Sequence, residues 1–551
     1  MTVPDLTRPT RPLPKLLPWN EWFWTSGADG TLRIQGCDEC DALVQPPAPI
    51  CPVCRSKRHS PRAMSGRATV IGFTVNHQQW LPGFDPPYVI ANVALAEDPA
   101  IHLTTNLLGC EPDAVHIGME VQVCFEHIDD IWLPLFEPTG ATDPIDRVAE
   151  PSRPIPRAPL TTERYEHKSV ISGIGRSAIG RRLMVDPISL TVDACLQAIA
   201  DAGLTPGDID GMATYPGSGG YEMGFGEGGI TSVEEALRLR PTWISGGSEI
   251  PGPGGSVLNA MMAVATGLCR HVLCFRTVWQ STASQLRLSG GGGRALNGFE
   301  WRSPYGAMSA ANWIGMNATQ YLHRYGATRE LLGRVAINNR TNAGLNPVAI
   351  YRDPMTMDDY MEARMVSTPF GLFDCDVPCD GAIALIVSDA SVAGDLPKPA
   401  IRIEAAGTQI TERMSWDQDT VTHEPQVIGQ STHLWTRSAL TPDDIDVALL
   451  YDGFSFNAIT WIEALGFCGL GEAKDWIDDG RAIARDGRLP LNPHGGQLSE
   501  GRTHGMGFFY EAVTQLRHEA GARQIAKADT AVVATGGGTP SGVVILQRDG
   551  V

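Results

Sequence analysis

The sequence predicts an α/β protein of two similar layered halves, preceded by a four-cysteine knuckle and a small all-β barrel. Two Cys-x-x-C pairs near the N-terminus and a set of short β-rich runs behind them predict the first part. One phrase written twice predicts the second. "LTPGDIDGMATY" opens at Leu204, and "LTPDDIDVALLY" opens at Leu440. Leu204, Thr205, Pro206, Asp208, Ile209, Asp210 and Tyr215 fall in step with Leu440, Thr441, Pro442, Asp444, Ile445, Asp446 and Tyr451. Only the second copy continues with an aspartate, Asp452.

Bulk composition bounds the function. The 551 residues are enough for several domains. Lys plus Arg number 43 against 62 Asp plus Glu, giving a net charge of −19. That balance argues against nucleic acid as the main partner, because phosphate binding needs a basic footprint. It leaves room for a local basic patch around a phosphorylated ligand. The opening "MTVPDLTRPTRPLPKLLPWNEWFW" holds no apolar stretch of signal-peptide length, and no run approaches the roughly 20 apolar residues of a membrane span. A soluble cytoplasmic protein with no membrane partner is expected. Of the 12 cysteines, those outside the knuckle are mostly scattered through apolar sequence and read as reduced thiols.

Residues 1–60 are expected to form an N-terminal helix and a ribbon. "CDECDALVQPPAPICPVC" puts Cys37 and Cys40 on one tight turn and Cys51 and Cys54 on another. Four thiolates aimed at one point match tetrahedral zinc in a closed structural site, since no coordination position stays open for chemistry. The alternative is two unrelated reduced pairs. Residues 61–138 hold "RATVIGFTVNHQ", "YVIANVALAED", "IHLTTNLLG" and "MEVQVCFEHI", short β-rich runs bounded by Gly, Pro or Asp. Runs of this kind predict a small antiparallel barrel. No cluster of basic and aromatic residues lines them, which argues against single-stranded nucleic acid. Residues 139–163, rich in proline and without periodicity, read as a linker.

The halves are expected at 164–395 and 396–551. In each, a strand ("SVISGIGRSAIG"; "AIRIEAAGTQI") precedes a helix ("SLTVDACLQAIADAG"; "QVIGQSTHLWTRSA"), and the repeated phrase follows. Thr-Pro-x-Asp starts a turn whose aspartate caps backbone N–H groups, and Ile-Asp leads into a buried strand. Such a duplicated unit is expected when two halves stack around a shared helical layer.

These residues carry a resemblance. Helix, ribbon and "SGRATVIGFTVNH", "PYVIANVAL" and "IGMEVQV", over about residues 18–138, are similar to the zinc-ribbon/OB-fold domains that accompany thiolase-like enzymes acting on acyl-CoA. From about residue 166 to 551, "NNRTNAGLNPVAIYRDPMTMDDY", "STPFGLFDCDVPCDGAIALIVSD", "NPHGGQLSEGRTHGMGF" and "VVATGGGTPSGVVIL" follow the order of the thiolase superfamily, in particular its sterol-carrier-protein-x type. The resemblance implies a thiolase fold, a homodimer, and coenzyme A as part of an acyl-CoA substrate. It also brings in an enoyl-CoA hydratase as a candidate partner.

The thiolase chemistry is missing its sulfurs. Thiolases place a nucleophilic cysteine at the start of a buried helix, and the matching "SGGSEIPGPGGSVLNAMMAVATGLC" has none before Cys269, near the far end. A helix N-terminus stabilises a thiolate only locally. Ala534 stands where the second cysteine should be, ahead of Thr535 and Gly536–Gly538. Tyr451, Asp452, Gly453 and Phe454 match the family's Asn-Glu-Ala-Phe or His-Asp-Cys-Phe motif. Arg502 falls at the histidine of its Gly-His-Pro loop, with His504 two residues on. Steroid side-chain aldolases of the lipid-transfer-protein type look similar: they lack the cysteines, keep the Tyr-Asp motif and work with a zinc-ribbon/OB-fold partner. Where those aldolases usually carry a second tyrosine, this sequence has Arg502.

Retro-aldol cleavage of a β-hydroxyacyl-CoA needs no acyl-enzyme. It needs a base for the β-hydroxyl and donors for the thioester enolate. Tyr451 is the expected base, assisted by Arg502 or a protonated His504, with Asp452 orienting the loop or relaying the proton. Gly536, Gly537, Gly538 and His504 are the expected enolate donors. The competing readings are a strand-end tyrosine, a structural loop histidine, and an Arg502 paired with Glu500 or Glu511 at a surface. Cys375 and Cys379 have no partner pair nearby and read as core thiols. At the level of function the alternatives are an acyltransferase or condensing enzyme, and a non-catalytic acyl-CoA scaffold.

Overall fold

A computed structural model of the chain describes residues 11–143, 147–148, 161–215, 229–246, 254–286, 294–410, 425–537 and 541–548. A short helix, Glu21–Trp24, precedes a three-stranded sheet in which Arg33–Cys37 pairs with Leu43–Val44 and His59–Ala63. The barrel strands Arg67–Asn76, Tyr88–Leu95, His102–Asn106, Met119–Ile128 and Ile131–Thr142 are joined antiparallel. Val70, Val93, Val121, Leu133 and Phe136 fill its centre with Phe23 and Trp24. The last strand runs past residue 138 to Thr142, into the expected linker; most of that stretch lies outside the described residues.

The second domain is organised by one nine-stranded mixed sheet. Its order is Trp243–Gly246, Gly211–Thr214, His271–Trp279, Asp380–Asp389, Ser169–Arg176, Ile401–Gly407, Gly542–Arg548, Thr530–Thr535, Val447–Leu449. Outward from the centre, each half runs antiparallel, antiparallel, then parallel, so the two halves repeat one topology. Within the sheet, among the described residues, the halves pair through Ile401↔Ile171 and Arg402↔Val170. Along His271–Trp279, Val272 and Cys274 face one core while Leu273 and Phe275 face another, the period-2 alternation of a strand buried on both sides.

The repeated phrase does the same work in each half. Asp208 accepts hydrogen bonds from Thr205 N (2.8 Å) and Oγ1 (2.7 Å), and Asp444 accepts from Thr441 N (2.8 Å) and Oγ1 (2.8 Å). The next aspartate caps the start of the neighbouring strand. Asp210 takes the N–H groups of Arg270 and His271, and Asp446 those of Asp529 and Thr530. The matching glycines have a shared reason too. A Cβ at Gly175 would collide with the Ala194 carbonyl, and one at Gly407 with the Gln430 carbonyl, so each admits the half's first helix, Pro187–Asp201 or Ile428–Thr436.

The two domains share a sheet. Strands Met365–Ser367 and Phe370–Gly371, from the second domain, extend the barrel edge through Ser367↔Asn76. Thr74 Oγ1 meets Ser367 Oγ at 2.7 Å, Asn312 donates to Asn76 (3.0 Å), and Trp301 stacks on Trp24 at 4.9 Å. Buried polar groups that satisfy one another in this way fix the docking angle. Among the described residues no helix is long and apolar enough to cross a membrane.

Candidate active site

Tyr451 and Asp452 follow the strand Val447–Leu449, just before the helix Ser455–Ala464 begins. Asp452 is fully buried. Its carboxylate accepts from Asn339 Nδ2 at 2.6 Å and from the backbone N of Gln497 at 2.8 Å. A Cβ at Gly496 would strike that carboxylate, and Gly496 also sits at φ +60°, so glycine is required there. Burial raises the Asp452 pKa to about 7, against the Gln497 and Leu498 N–H groups that lower it. Both of its oxygens hold the loop, at Gln497 N and Leu498 N.

Burial pushes the Tyr451 phenol well above its ordinary value and the Asp376 carboxylate adds to this, while Arg502, Gln497 and Arg276 oppose it. Tyr451 is therefore a neutral phenol. Arg502 does not reach Glu500 or Glu511, which pair with Arg176 (3.1 Å) and Arg523 (2.9 Å). Its Nη1 lies 3.0 and 3.3 Å from the two oxygens of Asp376, a carboxyl that burial raises to about 6. Three backbone bonds zip the segments together: Asp376 N to Gly453 O, Val377 N to Gln497 O, and Arg502 N to Val377 O. Arg502 is thus half of an ion pair beside the phenol, and its charge is among the groups that lower the phenol's pKa. Gln497 is 2% exposed, and its side chain is hydrogen-bonded to Tyr451, one of the interactions that lower the phenol's pKa.

His504 is buried, at φ +54°, a conformation that costs a non-glycine residue about 1–3 kcal/mol and gathers at functional sites. Arg276 Nη2 lies 3.0 Å from its Nδ1, and burial together with Arg276 and Arg502 depresses its pKa far below the usual imidazole range. The expectation of a protonated His504 is therefore overturned. Next to it, Gly505 packs on Thr535, whose Oγ1 also accepts from Gly254 N at 3.0 Å. The helix Gly255–Ala265, the His504 loop and the glycine turn consequently meet at one place.

In that turn Trp461 Nε1 donates to Gly536 O (2.8 Å) and Asn457 Nδ2 to Gly537 O (2.9 Å). Peptide planarity then points the Gly537 N–H away from the helix that holds the Gly536 carbonyl. Gly538 lies outside the described residues. A small cavity of about 40 Å³, lined in part by Gln320, Tyr321, Phe456, Asn457 and Gly537, lies on the helix side of the turn. Ala534 is buried in its strand. Cys269 lies beyond the end of its helix, in packing contact with Asp210 and Thr242, and burial raises its pKa. Cys375 and Cys379 are likewise raised by burial, and Cys375 Sγ faces the Gly371 carbonyl.

Cys37, Cys40, Cys51 and Cys54 bring their sulfurs within 4.8 Å of one another, the only such cluster among the described residues. Cys37 and Cys54 are 3.5 Å apart and Cys40 and Cys51 3.7 Å, spacings of a tetrahedral thiolate set.

Comparison with known proteins follows this division. Residues 24–60 match the family described as "ChsH2, rubredoxin-like zinc ribbon domain", residues 61–126 "ChsH2, C-terminal OB-fold domain", and residues 407–548 "Thiolase C-terminal domain-like". A steroid side-chain-cleaving aldolase of Thermomonospora curvata is 35% identical, over 69% of this chain and 98% of its own length. The chain belongs to this aldolase family. The 17-hydroxy-3-oxo-4-pregnene-20-carboxyl-CoA lyase of Mycobacterium tuberculosis is 34% identical, over 69% of this aldolase and 99% of the lyase. The solved Ltp2-ChsH2(DUF35) aldolase is similar with a TM-score of 0.64 and 33% identity, covering 70% of this chain and 98% of that one. In the present aldolase, ribbon, OB-fold and thiolase-like domain are one chain. Asp376, Arg276 and Gln497 are the residues that sequence reading missed. Arg276 had a signal, a charge inside the apolar strand "HVLCFRTVW".

Proposed function

We propose that the protein cleaves a β-hydroxyacyl-CoA by a retro-aldol step, giving a ketone or aldehyde and a shorter acyl-CoA. The observation that carries this is the Tyr451–Asp376–Arg502 group facing a site whose thiolase cysteines are gone. The β-hydroxyl proton leaves to the Asp376 carboxylate, with the Tyr451 phenol as the donor and relay between them. The Cα–Cβ pair collapses into the thioester, and the enolate oxygen is received by His504 and the Gly537 N–H. Preorganised donors of this kind contribute about 3 kcal/mol each by deletion. A proton returned to Cα releases the shorter acyl-CoA. Incubating the protein with β-hydroxyacyl-CoAs and no free coenzyme A tests the reaction.

The steroid names of the relatives support a polycyclic acyl chain. Zinc is proposed at Cys37, Cys40, Cys51 and Cys54, where it would pin the ribbon turns and take no part in the chemistry. Hydration of an α,β-unsaturated thioester makes the β-hydroxyacyl-CoA, so an enoyl-CoA hydratase is the proposed supplier, working in the cytoplasm. A homodimer is proposed through the outer edge of Trp243–Gly246. Ile244 (57% exposed) stands there, with Leu268 (59%) and Met262 (46%) exposed on neighbouring segments, an apolar face that a second copy would cover. Light scattering at micromolar concentration should give a dimer, and Ile244→Asp should shift it to monomer.

A further inference from the structure

Arg276 is an anomaly by every sequence rule. It sits inside the strand His271–Trp279, paired opposite Ile383, and is 2% exposed. Burying a guanidinium costs several kcal/mol unless its donors are met. Nη1 meets the Tyr215 carbonyl at 2.6 Å, and Nη2 meets His504 Nδ1 at 3.0 Å. The guanidinium also lies over the Tyr215 ring, 4.8 Å from its centroid. Tyr215 is the residue of the first repeat that falls in step with Tyr451.

We propose that Arg276 is a positioning residue that holds His504 as the neutral Nε2–H tautomer, so that the ring works only as a hydrogen-bond donor. The reason is the chemistry of the pair. A guanidinium has five N–H donors, no acceptor, and no accessible deprotonated form. The nitrogen facing it must accept, so His504 Nδ1 carries a lone pair and the ring proton sits on Nε2. Protonating the ring would set an N–H against an N–H and a cation against a cation. Arg276, from its strand, and Arg502, from the loop itself, act on the ring, and both oppose protonation. In the retro-aldol reading, on which the use of this donor rests, His504 stabilises the enolate oxygen without supplying the proton that quenches Cα. It adds no limb to the pH profile, because it does not titrate in the working range.

Nitrogen NMR of the full chain labelled with ¹⁵N-histidine tests this, with the His504 signals assigned by their loss in His504→Asn. The expected result is one pyridine-like Nδ1 and one pyrrole-like Nε2, unchanged from about pH 5.5 to about 8.5. Arg276→Met should populate both tautomers and raise the ring's pKa, while burial and Arg502, which remain, still hold it below the free imidazole value. A parent His504 that titrates in this range, or that carries its proton on Nδ1, overturns the proposal. So does a folded Arg276→Met whose His504 stays neutral on Nε2, since burial alone would then suffice. If Arg276→Met does not fold, the parent titration decides. The NMR readout needs no substrate, so it stands or falls separately from the cleavage reaction.

Discussion

Arg502 Nη1 rests 3.0 and 3.3 Å from the two carboxylate oxygens of Asp376, and this ion pair lies beside the Tyr451 phenol. Its consequence is a base poised near neutrality. Burial, opposed by Arg502, lifts Asp376 to about 6, so the group is charged above that pH and protonated below it. The kcat/KM for cleavage should therefore fall as pH drops through about 6. Asp376→Asn should remove this limb and lower cleavage by about 10²–10⁴-fold, the usual weight of a general base. A full-activity Asp376→Asn enzyme would show that the proton goes elsewhere.

Tyr451→Phe deletes one hydroxyl from a ring that packs 6.3 Å from Phe508. Folding should survive, seen as an unchanged melting temperature within about a degree. Cleavage should drop by at least tenfold, since the β-hydroxyl loses its bridge to Asp376. Cys269→Ala, by contrast, should leave turnover within about twofold, because that thiol is in packing.

Gln497 offers a second test at the phenol. Its side-chain hydrogen bond to Tyr451 lowers the phenol's pKa. Gln497→Leu should lower kcat/KM by roughly tenfold and cost about 0.5–1.5 kcal/mol of stability, the usual weight of one hydrogen bond. Full activity in the folded variant would show the amide to be structural.

Metal analysis should find one zinc per chain. Cys51→Ser should lose it and melt the ribbon and barrel first, because metal binding here is folding free energy. Iron with redox activity, or no metal, would contradict the assignment.

What the sequence made legible was local. The four cysteines announced themselves by spacing, and the repeated Thr-Pro-x-Asp announced two equivalent strands, because caps and turns act within a few residues. Tyr451 was legible as a residue just beyond the end of the second of those strands. Asp376, 126 residues from Arg502, and Arg276, 228 residues from His504, become meaningful only when distant strands and loops converge. The same distance explains the errors. Nothing local tells Arg502 to choose Asp376 over Glu500, or tells His504 that a cation will face it. The shared sheet between domains was hidden for a similar reason, since Ser367↔Asn76 joins segments that read as separate modules.

The central claim is carbon–carbon cleavage without sulfur, and one measurement addresses it directly. The protein is incubated with a panel of β-hydroxyacyl-CoAs in the absence of free coenzyme A, and the CoA species and carbonyl products are quantified by chromatography. The account predicts one ketone or aldehyde released for each shorter acyl-CoA formed, with no acyl group retained on any cysteine. Cleavage that waits for added coenzyme A and yields two acyl-CoAs would contradict it, as would a panel on which no substrate is cleaved.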